Sequence, residues 1–167
     1  MVKEEVQQLL NQLIQIEHIS TTLYLAMSAY LDRKNYTGMA RWLRLQSEEE
    51  RTHMLTLIDY LTGKDGIVKL SDVPQQPSDF GTPLETFESV LEHEQYVTNA
   101  YRQAYDYITQ VDPQTTVIVL EFLREQIDEE AQALTIEERL KLANNNPSAL
   151  LLMDQELGQR QNAGGTA

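Results

Sequence analysis

The chain has 167 residues, of which 26 are acidic and 13 are basic, giving a formal charge of −13. This length suits one hydrophobic core, so we expect a single domain over residues 1–167. Cysteine is absent, which excludes disulfides, thiolate zinc sites and iron–sulfur clusters. The acidic excess argues against sequence-independent binding of nucleic acid and favours binding of cations.

The start of the chain and its hydropathy bear on cellular location. The opening Met-Val-Lys-Glu-Glu is acidic where a secretory signal needs a basic patch and an apolar run. Nowhere is the sequence long and apolar enough to span a bilayer. We therefore expect a cytoplasmic protein that does not contact the membrane.

The spacing of apolar residues predicts an all-α fold. Leucine, glutamine, glutamate and alanine are abundant, and apolar residues recur at alternating intervals of three and four. These stripes predict five helices, at approximately residues 3–32, 37–62, 84–111, 114–144 and 148–158. The segment 63–83 is rich in Gly, Pro, Asp and Ser, so we expect one long irregular connection there. We expect residues 159–167 to be disordered.

Four of the predicted helices carry polar residues in the middle of their apolar stripes. These residues are Glu17 in the first helix, Glu50 and His53 in the second, Glu94 in the third, and Gln126 and Glu129 in the fourth. A charge that faces a core is costly unless it is paired or binds a cation. Because four helices repeat the pattern at a similar depth, a shared metal site explains all of them.

The two halves of the chain repeat this arrangement. Glu17 precedes Tyr24 by the interval that separates Glu94 from Tyr101. The polar pair of the second helix and that of the fourth each have the spacing i, i+3, which places both members on one helix face with about 5–6 Å between their β-carbons. Two such pairs and two single glutamates predict a dinuclear pocket in a bundle with pseudo-twofold symmetry.

At these residues the chain resembles the non-haem ferritins, specifically the bacterial branch, within the ferritin-like diiron carboxylate family. Those bundles take one Glu from each of two helices and Glu-x-x-His from each of the other two. The fourth helix departs from this pattern with Gln126-x-x-Glu129. The resemblance covers nearly the whole chain. It implies an antiparallel four-helix bundle with a long crossover between helices two and three, a short fifth helix, and a hollow homo-oligomer of twenty-four subunits.

The resemblance also implies a role for individual residues. Glu17 and His53 would hold a first iron. Glu50 would bridge the two irons. Glu94 and Glu129 would hold the second, which should be weaker or more exchangeable because the second imidazole of the family pattern is missing.

Further residues follow from the resemblance. Gln126 would lie beside the metal pair, and Tyr24 matches a tyrosine that lies near the diiron centre and is implicated in electron transfer. A third iron position on the inner surface of the shell is matched by Glu49, Glu125 and Asp128. Asp128 is shorter than the glutamate usual in the family.

Haem is not expected. In bacterioferritins a methionine two residues before the histidine of helix two binds haem. Here that position is Arg51, whereas Met54 follows His53. Binding of iron alone, with no haem, is therefore the prediction.

Single residues of this set also have simpler interpretations. Glu17 or Glu94 alone could lie at a partly exposed edge of its stripe, and His53 alone could be a hydrogen-bonded core residue. Tyr24 and Tyr101 could simply pack with their hydroxyls bonded, and for Tyr101 we prefer this interpretation. The coincidence across four helices favours a metal site for the carboxylates and the histidine.

The ligand types predict the chemistry. Carboxylates with one imidazole suit Fe(II) but do not exclude manganese or zinc. Two neighbouring Fe(II) ions can each give an electron to O₂ or peroxide, so we expect a ferroxidase that passes Fe(III) to a mineral inside the shell. The alternatives are a diiron oxygenase or peroxidase acting on an organic substrate, a haem-free bacterioferritin-like protein, and a structural bundle that binds no metal.

Overall fold

Five helices make up most of residues 2–161, the part of the chain that this computed structural model describes. They are α1 (Glu4–Arg33), α2 (Thr37–Gly63), α3 (Pro83–Val111), α4 (Pro113–Ala143) and α5 (Pro147–Leu157). Short turns join α1 to α2 and α3 to α4, while the irregular segment 64–82 leads from α2 to α3. The predicted all-α bundle with a long crossover and a short fifth helix is confirmed.

Two further predictions concern disorder in the C-terminal tail and the absence of a membrane-spanning helix. Of the tail predicted to be disordered, residues 162–167 lie outside the described residues, whereas 159–161 are described. Among the described helices, none is both long enough and apolar enough to cross a bilayer.

Three helices begin at a proline, one residue before the start that the apolar pattern predicts. A proline at the first helical position removes only an N–H that would have no helical partner, and its fixed φ suits the helix. The residue before each proline caps the helix by accepting backbone hydrogen bonds on its side chain. These caps are Thr82, Asp112 and Asn146.

The crossover segment lies along α1, whose polar side chains bind its backbone. Asn11 donates to the carbonyl of Ile67 at 2.9 Å and accepts from the N–H of Lys69 at 2.6 Å. Gln15 donates to the carbonyl of Asp72 at 2.9 Å. These bonds satisfy backbone groups that lack partners in an irregular segment. The chain thereby returns along the bundle, so that α3 starts at the same end as α2.

Two hydrophobic clusters occupy opposite ends of the bundle, and each long helix passes through both. The first cluster includes Tyr24, Met27, Trp42, Leu43, Phe87 and Leu140. The second includes Leu10, Leu13, Leu57, Tyr101, Ile108 and Val119. On each of the four long helices, the polar residues that interrupt the apolar stripe lie between its contributions to the two clusters. The fold therefore places a polar layer at mid-bundle.

Helix α5 packs against the start of α2. Oδ1 of Asp154 accepts a hydrogen bond of 2.8 Å from the backbone N–H of Met39, in the first turn of α2, where N–H groups lack helical partners. Gly38 permits this close approach, since a Cβ there would lie 1.7 Å from the carbonyl oxygen of Asp154. The docking places the residues that follow α5 beside α2.

Candidate metal centre

The six residues predicted at the metal site lie on the inner faces of the four long helices. Each is buried: Glu17, Glu50, His53, Glu94, Gln126 and Glu129. His53 is the most accessible of the six, with 9% of its surface exposed. The helical period explains this placement, because the six occupy positions in their stripes where leucine or phenylalanine would otherwise pack.

The carboxylates and the histidine form two groups that share a member. Glu17, Glu50 and His53 offer ligand atoms that all lie within 4.8 Å of one another. Glu50, Glu94 and Glu129 form a second group by the same measure. Each group is compact enough to surround one cation. Glu50 belongs to both groups, which is the position a bridging carboxylate would take.

The two carboxylate oxygens of buried Glu17 differ in their hydrogen bonding. Its Oε1 accepts a hydrogen bond from the hydroxyl of Tyr101 on α3. Among residues 2–161, no donor reaches its buried Oε2. Burial, and then the charge of Glu50, raise the pKa of Glu17 well above its ordinary value. A cation bound at Oε2 would recover the free energy that this unsatisfied atom costs.

His53 lies between two carboxylates. Its Nδ1 is 3.3 Å from Oε2 of Glu50, and its Nε2 is 3.3 Å from Oε2 of Glu125. Burial acts to lower the pKa of His53, but Glu50 and then Glu125 outweigh it and raise the pKa to about 9. Burial acts to raise the pKa of Glu50, but the adjacent imidazole of His53 lowers it overall. A metal ion at Nδ1 would therefore displace a proton.

Glu94 is held by one donor from α1 and one from α4. The hydroxyl of Tyr24 donates to its Oε1. The amide of Gln126 donates to its Oε2 at 3.0 Å and to its backbone carbonyl at 3.2 Å. Burial, followed by the charge of Glu50, raises the pKa of Glu94 to about 8. Gln126 thus lies beside the carboxylate cluster and orients one of its members.

Gln46 is a member of the site that sequence analysis did not single out. Its amide nitrogen donates to Oε1 of Glu50 at 3.0 Å and to Oε2 of Glu129 at 2.7 Å. It therefore ties a carboxylate of α2 to one of α4. Burial and then the charge of Glu50 raise the pKa of Glu129 to about 7. The signal was present in the sequence, since Gln46 lies one turn before Glu50 on the same apolar stripe.

Tyr101 also contacts a residue of the site. We preferred to interpret it as a packing residue with its hydroxyl bonded, and the partner of this hydroxyl is Glu17. Burial, and then the charge of Glu17, raise the pKa of Tyr101 well above its ordinary value, so the hydroxyl remains a donor. The predicted repeat offered a clue, since it places Tyr101 where Tyr24 stands in the first half.

Two of the three residues predicted for a third iron line one cavity. Glu49 and Glu125 line a cavity of about 430 Å³ that also reaches His53. Asp128 lines a different depression, beside Trp42. Glu49 is ion-paired with Arg160, with 2.7 Å between Oε2 and Nη2. The third iron site stays a prediction.

The chemistry open to this arrangement is the binding of two cations by oxygen ligands and one nitrogen. Carboxylate and imidazole ligands suit divalent iron, manganese and zinc. Without metal, the raised pKa values of Glu17, Glu94 and Glu129 keep protons in the layer and limit its negative charge. Two dications would replace those protons, so binding is expected to release them.

Comparison with known proteins gives concordant matches over nearly the full length. Residues 7–143 match the family model of the ferritin-like domain. The chain is 37% identical over 161 residues to the bacterial non-heme ferritin of Bacteroides fragilis, covering 96% of this chain and 100% of that protein. It is 33% identical over 156 residues to that of Campylobacter jejuni, covering 93% of each.

Solved structures agree with these sequence matches. The fold is similar to a novel open pore ferritin from the hyperthermophilic archaeon Archaeoglobus fulgidus, with a TM-score of 0.94 and 36% identity over 96% of this chain and 99% of that one. An engineered closed form of the Archaeoglobus fulgidus ferritin gives a TM-score of 0.95 and 36% identity over 98% of this chain and 100% of that one.

Proposed function

Because the chain belongs to the ferritin family, we propose that it stores iron and that its mid-bundle layer is a ferroxidase centre, which oxidises Fe(II) to Fe(III). The observation that carries this proposal is the pair of buried ligand groups joined at Glu50. A structural bundle gains nothing from placing so many ionisable groups in its core, whereas two cations would pair with all of them.

Each residue of the layer has a proposed task. Glu17 and His53 hold the first iron, Glu94 and Glu129 hold the second, and Glu50 bridges them. Glu50 suits the bridge because its lowered pKa keeps it ionised while its neighbours retain protons. Nδ1 of His53 is the ring nitrogen that faces Glu50, and Nε2 faces Glu125.

The chemistry requires two electrons for each oxidant molecule. Two Fe(II) and O₂ with two protons give two Fe(III) and H₂O₂, and two Fe(II) and H₂O₂ with two protons give two Fe(III) and two waters. Paired sites let both electrons leave together. Binding of Fe(II) releases protons from the layer, whereas reduction of the oxidant consumes them.

Tyr24 is proposed to take part in electron transfer. Its ring is buried, its hydroxyl donates to Glu94, and burial raises its pKa well above the ordinary value. A neutral phenol that gives up an electron must lose its proton as well. Oε1 of Glu94 accepts the hydrogen bond and is the acceptor for that proton.

Transfer of Fe(III) out of the centre follows from the ligand set. One imidazole and several carboxylates hold the ions, so exchange of the second iron is easier than in a centre with a second histidine. The lining of the cavity beside His53 includes four acidic residues, Glu48, Glu49, Glu121 and Glu125, together with Arg160 and apolar residues such as Phe122. The acidic side chains favour passage of a cation, which supports the storage function.

We propose that copies of the chain assemble into a hollow shell of twenty-four subunits. The family and the two Archaeoglobus fulgidus structures, one an open pore form and the other an engineered closed form, support this assembly. The formal charge of −13 on each chain would attract Fe(II) to such a shell.

Aerobic loading with Fe(II), followed by size-exclusion chromatography with iron analysis, tests the proposal. We expect a large particle that holds far more iron than its diiron centres could bind. Glu50→Ala should oxidise Fe(II) much more slowly, and Glu138→Ala, which removes an exposed charge from α4, serves as the control. A particle that accumulates no iron, or unchanged oxidation in Glu50→Ala, would overturn it.

A further inference from the structure

We propose that Arg160 is a positioning residue for the metal centre, which acts through Gln46 to fix the carboxylates of Glu50 and Glu129. The inference rests on the proposed function, since it assigns a task at the same centre. Arg160 lies beyond α5, in a segment that the sequence pattern predicts to be disordered, and it touches none of the six predicted site residues in the contacts found within residues 2–161.

The side chain of Arg160 is held on three sides. Its guanidinium carbon lies 4.5 Å from the centre of the Trp42 ring. Nη1 donates to Oε1 of Gln46 at 2.8 Å and to the carbonyl of Trp42 at 3.3 Å, while Nη2 donates to Oε2 of Glu49 at 2.7 Å. A planar guanidinium with several donors in a fixed fork suits such a set of partners.

The hydrogen bond from Arg160 determines which way round the amide group of Gln46 lies. An amide side chain has one accepting end and one donating end, and it can be reversed with little change in shape. A guanidinium only donates, so Oε1 of Gln46 must face Arg160. The NH₂ group must then face Glu50 and Glu129, where it makes bonds of 3.0 and 2.7 Å. If the amide of Gln46 were reversed, its oxygen would face the carboxylate oxygens of Glu50 and Glu129 and would repel them.

The position of Arg160 is itself determined by the fold. Helix α5 is docked on α2 through Asp154 and Met39, at the site where Gly38 allows close contact. The chain therefore leaves α5 next to α2, and Arg160 reaches Gln46 with its geometry already set. Gln46 is completely buried, so water cannot replace the guanidinium as its donor without a rearrangement.

An electrostatic role and a positioning role of Arg160 predict opposite changes in metal affinity when the residue is removed. The loss of a positive charge near a cation site should by itself tighten metal binding. The loss of an outer partner that orients a ligand typically weakens metal affinity by roughly 10- to 100-fold. Weaker binding in a variant that lacks the charge would therefore report positioning.

The test is an anaerobic Co(II) titration of the metal-free full-length protein, followed by visible absorption, which reports both affinity and ligand geometry. We expect Arg160→Gln to bind at least one Co(II) about 10-fold more weakly than wild type, with an altered spectrum. Arg160→Lys keeps the charge and a donor but lacks the fork, and should show a smaller loss. Arg44→Gln removes an exposed charge from α2 and should bind like wild type or more tightly.

A double variant isolates the route through Gln46. In a Gln46→Leu background, Arg160→Gln should cause no further loss, because the effect passes through the missing amide. Wild-type affinity in both Arg160 variants, or an undiminished loss in the Gln46→Leu background, would overturn the inference alone. Failure of the wild-type protein to bind Co(II) would instead overturn the proposed function, and the inference with it.

Discussion

The hydroxyl of Tyr24 on α1 donates a hydrogen bond to the carboxylate of Glu94 on α3. The reverse contact is also present, since Tyr101 on α3 donates to Glu17 on α1. In the sequence each tyrosine follows the glutamate of its own helix at the same interval, but in the fold each serves the glutamate of the other helix. The pseudo-twofold repeat is therefore a pair of crossed hydrogen bonds that orients one carboxylate on each side of the centre.

Tyr24→Phe and Tyr101→Phe should weaken metal binding at different positions of the centre. The change leaves Oε1 of buried Glu94 without its donor, so the free energy of unfolding of the metal-free protein should fall by about 1–3 kcal/mol. Metal binding on the Glu94 side should weaken, whereas Tyr101→Phe should weaken binding on the Glu17 side. Thermal melting and Co(II) titration check both. Tyr96→Phe, at an exposed tyrosine of α3, is the control and should change neither; equal losses on both sides would contradict the crossed arrangement.

The stability of the metal-free protein should decrease as the pH rises. The pKa values are raised to about 8 for Glu94, about 7 for Glu129 and about 9 for His53. The folded state therefore holds protons that the unfolded state releases from about pH 4.5 upward for the carboxyls and from about pH 6.5 for the imidazole. Their stabilisation is complete below those values and is lost as the pH passes through the folded pKa values.

Melting curves between about pH 5 and pH 9 measure this effect. Glu50, Asp79, Glu85 and Asp112 have lowered pKa values, so their own contributions are already complete in that window. Burial lowers the pKa of His93 from 6.5, so this residue opposes the trend below about pH 6.5, but Glu94 and Glu129 titrate over the same range and outweigh it. Bound metal should reverse the trend, because it competes with the same protons and binds more tightly as the pH rises. A melting temperature of the metal-free protein that rises with pH would contradict the assignment.

Glu125→Gln should lower the affinity for the metal ion at His53. Oε2 of Glu125 lies 3.3 Å from Nε2 of His53. A carboxylate at this position favours the tautomer with the proton on Nε2, which leaves Nδ1 free for metal and makes the ring a stronger ligand. We expect roughly a tenfold loss of affinity at that position. Glu121→Gln, one turn earlier on α4 and in the same cavity, is the matched control. If the two variants had equal effects, the cavity's charge alone would account for the role of Glu125.

The sequence was sufficient to predict the helices and the burial of six polar side chains at mid-bundle, for a physical reason. Glu17, Glu94 and the other polar residues stand in apolar stripes, and burial of a charge needs an explanation that helical periodicity makes visible. Helix starts were less accurate, because Pro83 and its counterparts begin helices where the apolar pattern has not yet started.

The residues that support the centre could not be predicted in the same way. Gln46 stands in the same apolar stripe as Glu50, but the pattern of α2 does not show that its amide also binds Glu129 of α4. Arg160 is 114 positions from Gln46, and its position depends on how α5 docks, which no local pattern specifies. Contacts between distant segments decide which polar residues matter, and periodicity within one helix cannot supply them.

Anaerobic titration of Fe(II) into the metal-free protein, in wild type and in Glu50→Ala, tests the central claim most directly. If two ions share Glu50 between the ligand groups around it, wild type should bind about two Fe(II) per chain at this centre, and the variant about one or fewer. A wild-type endpoint near zero, or an unchanged endpoint in Glu50→Ala, would contradict the account.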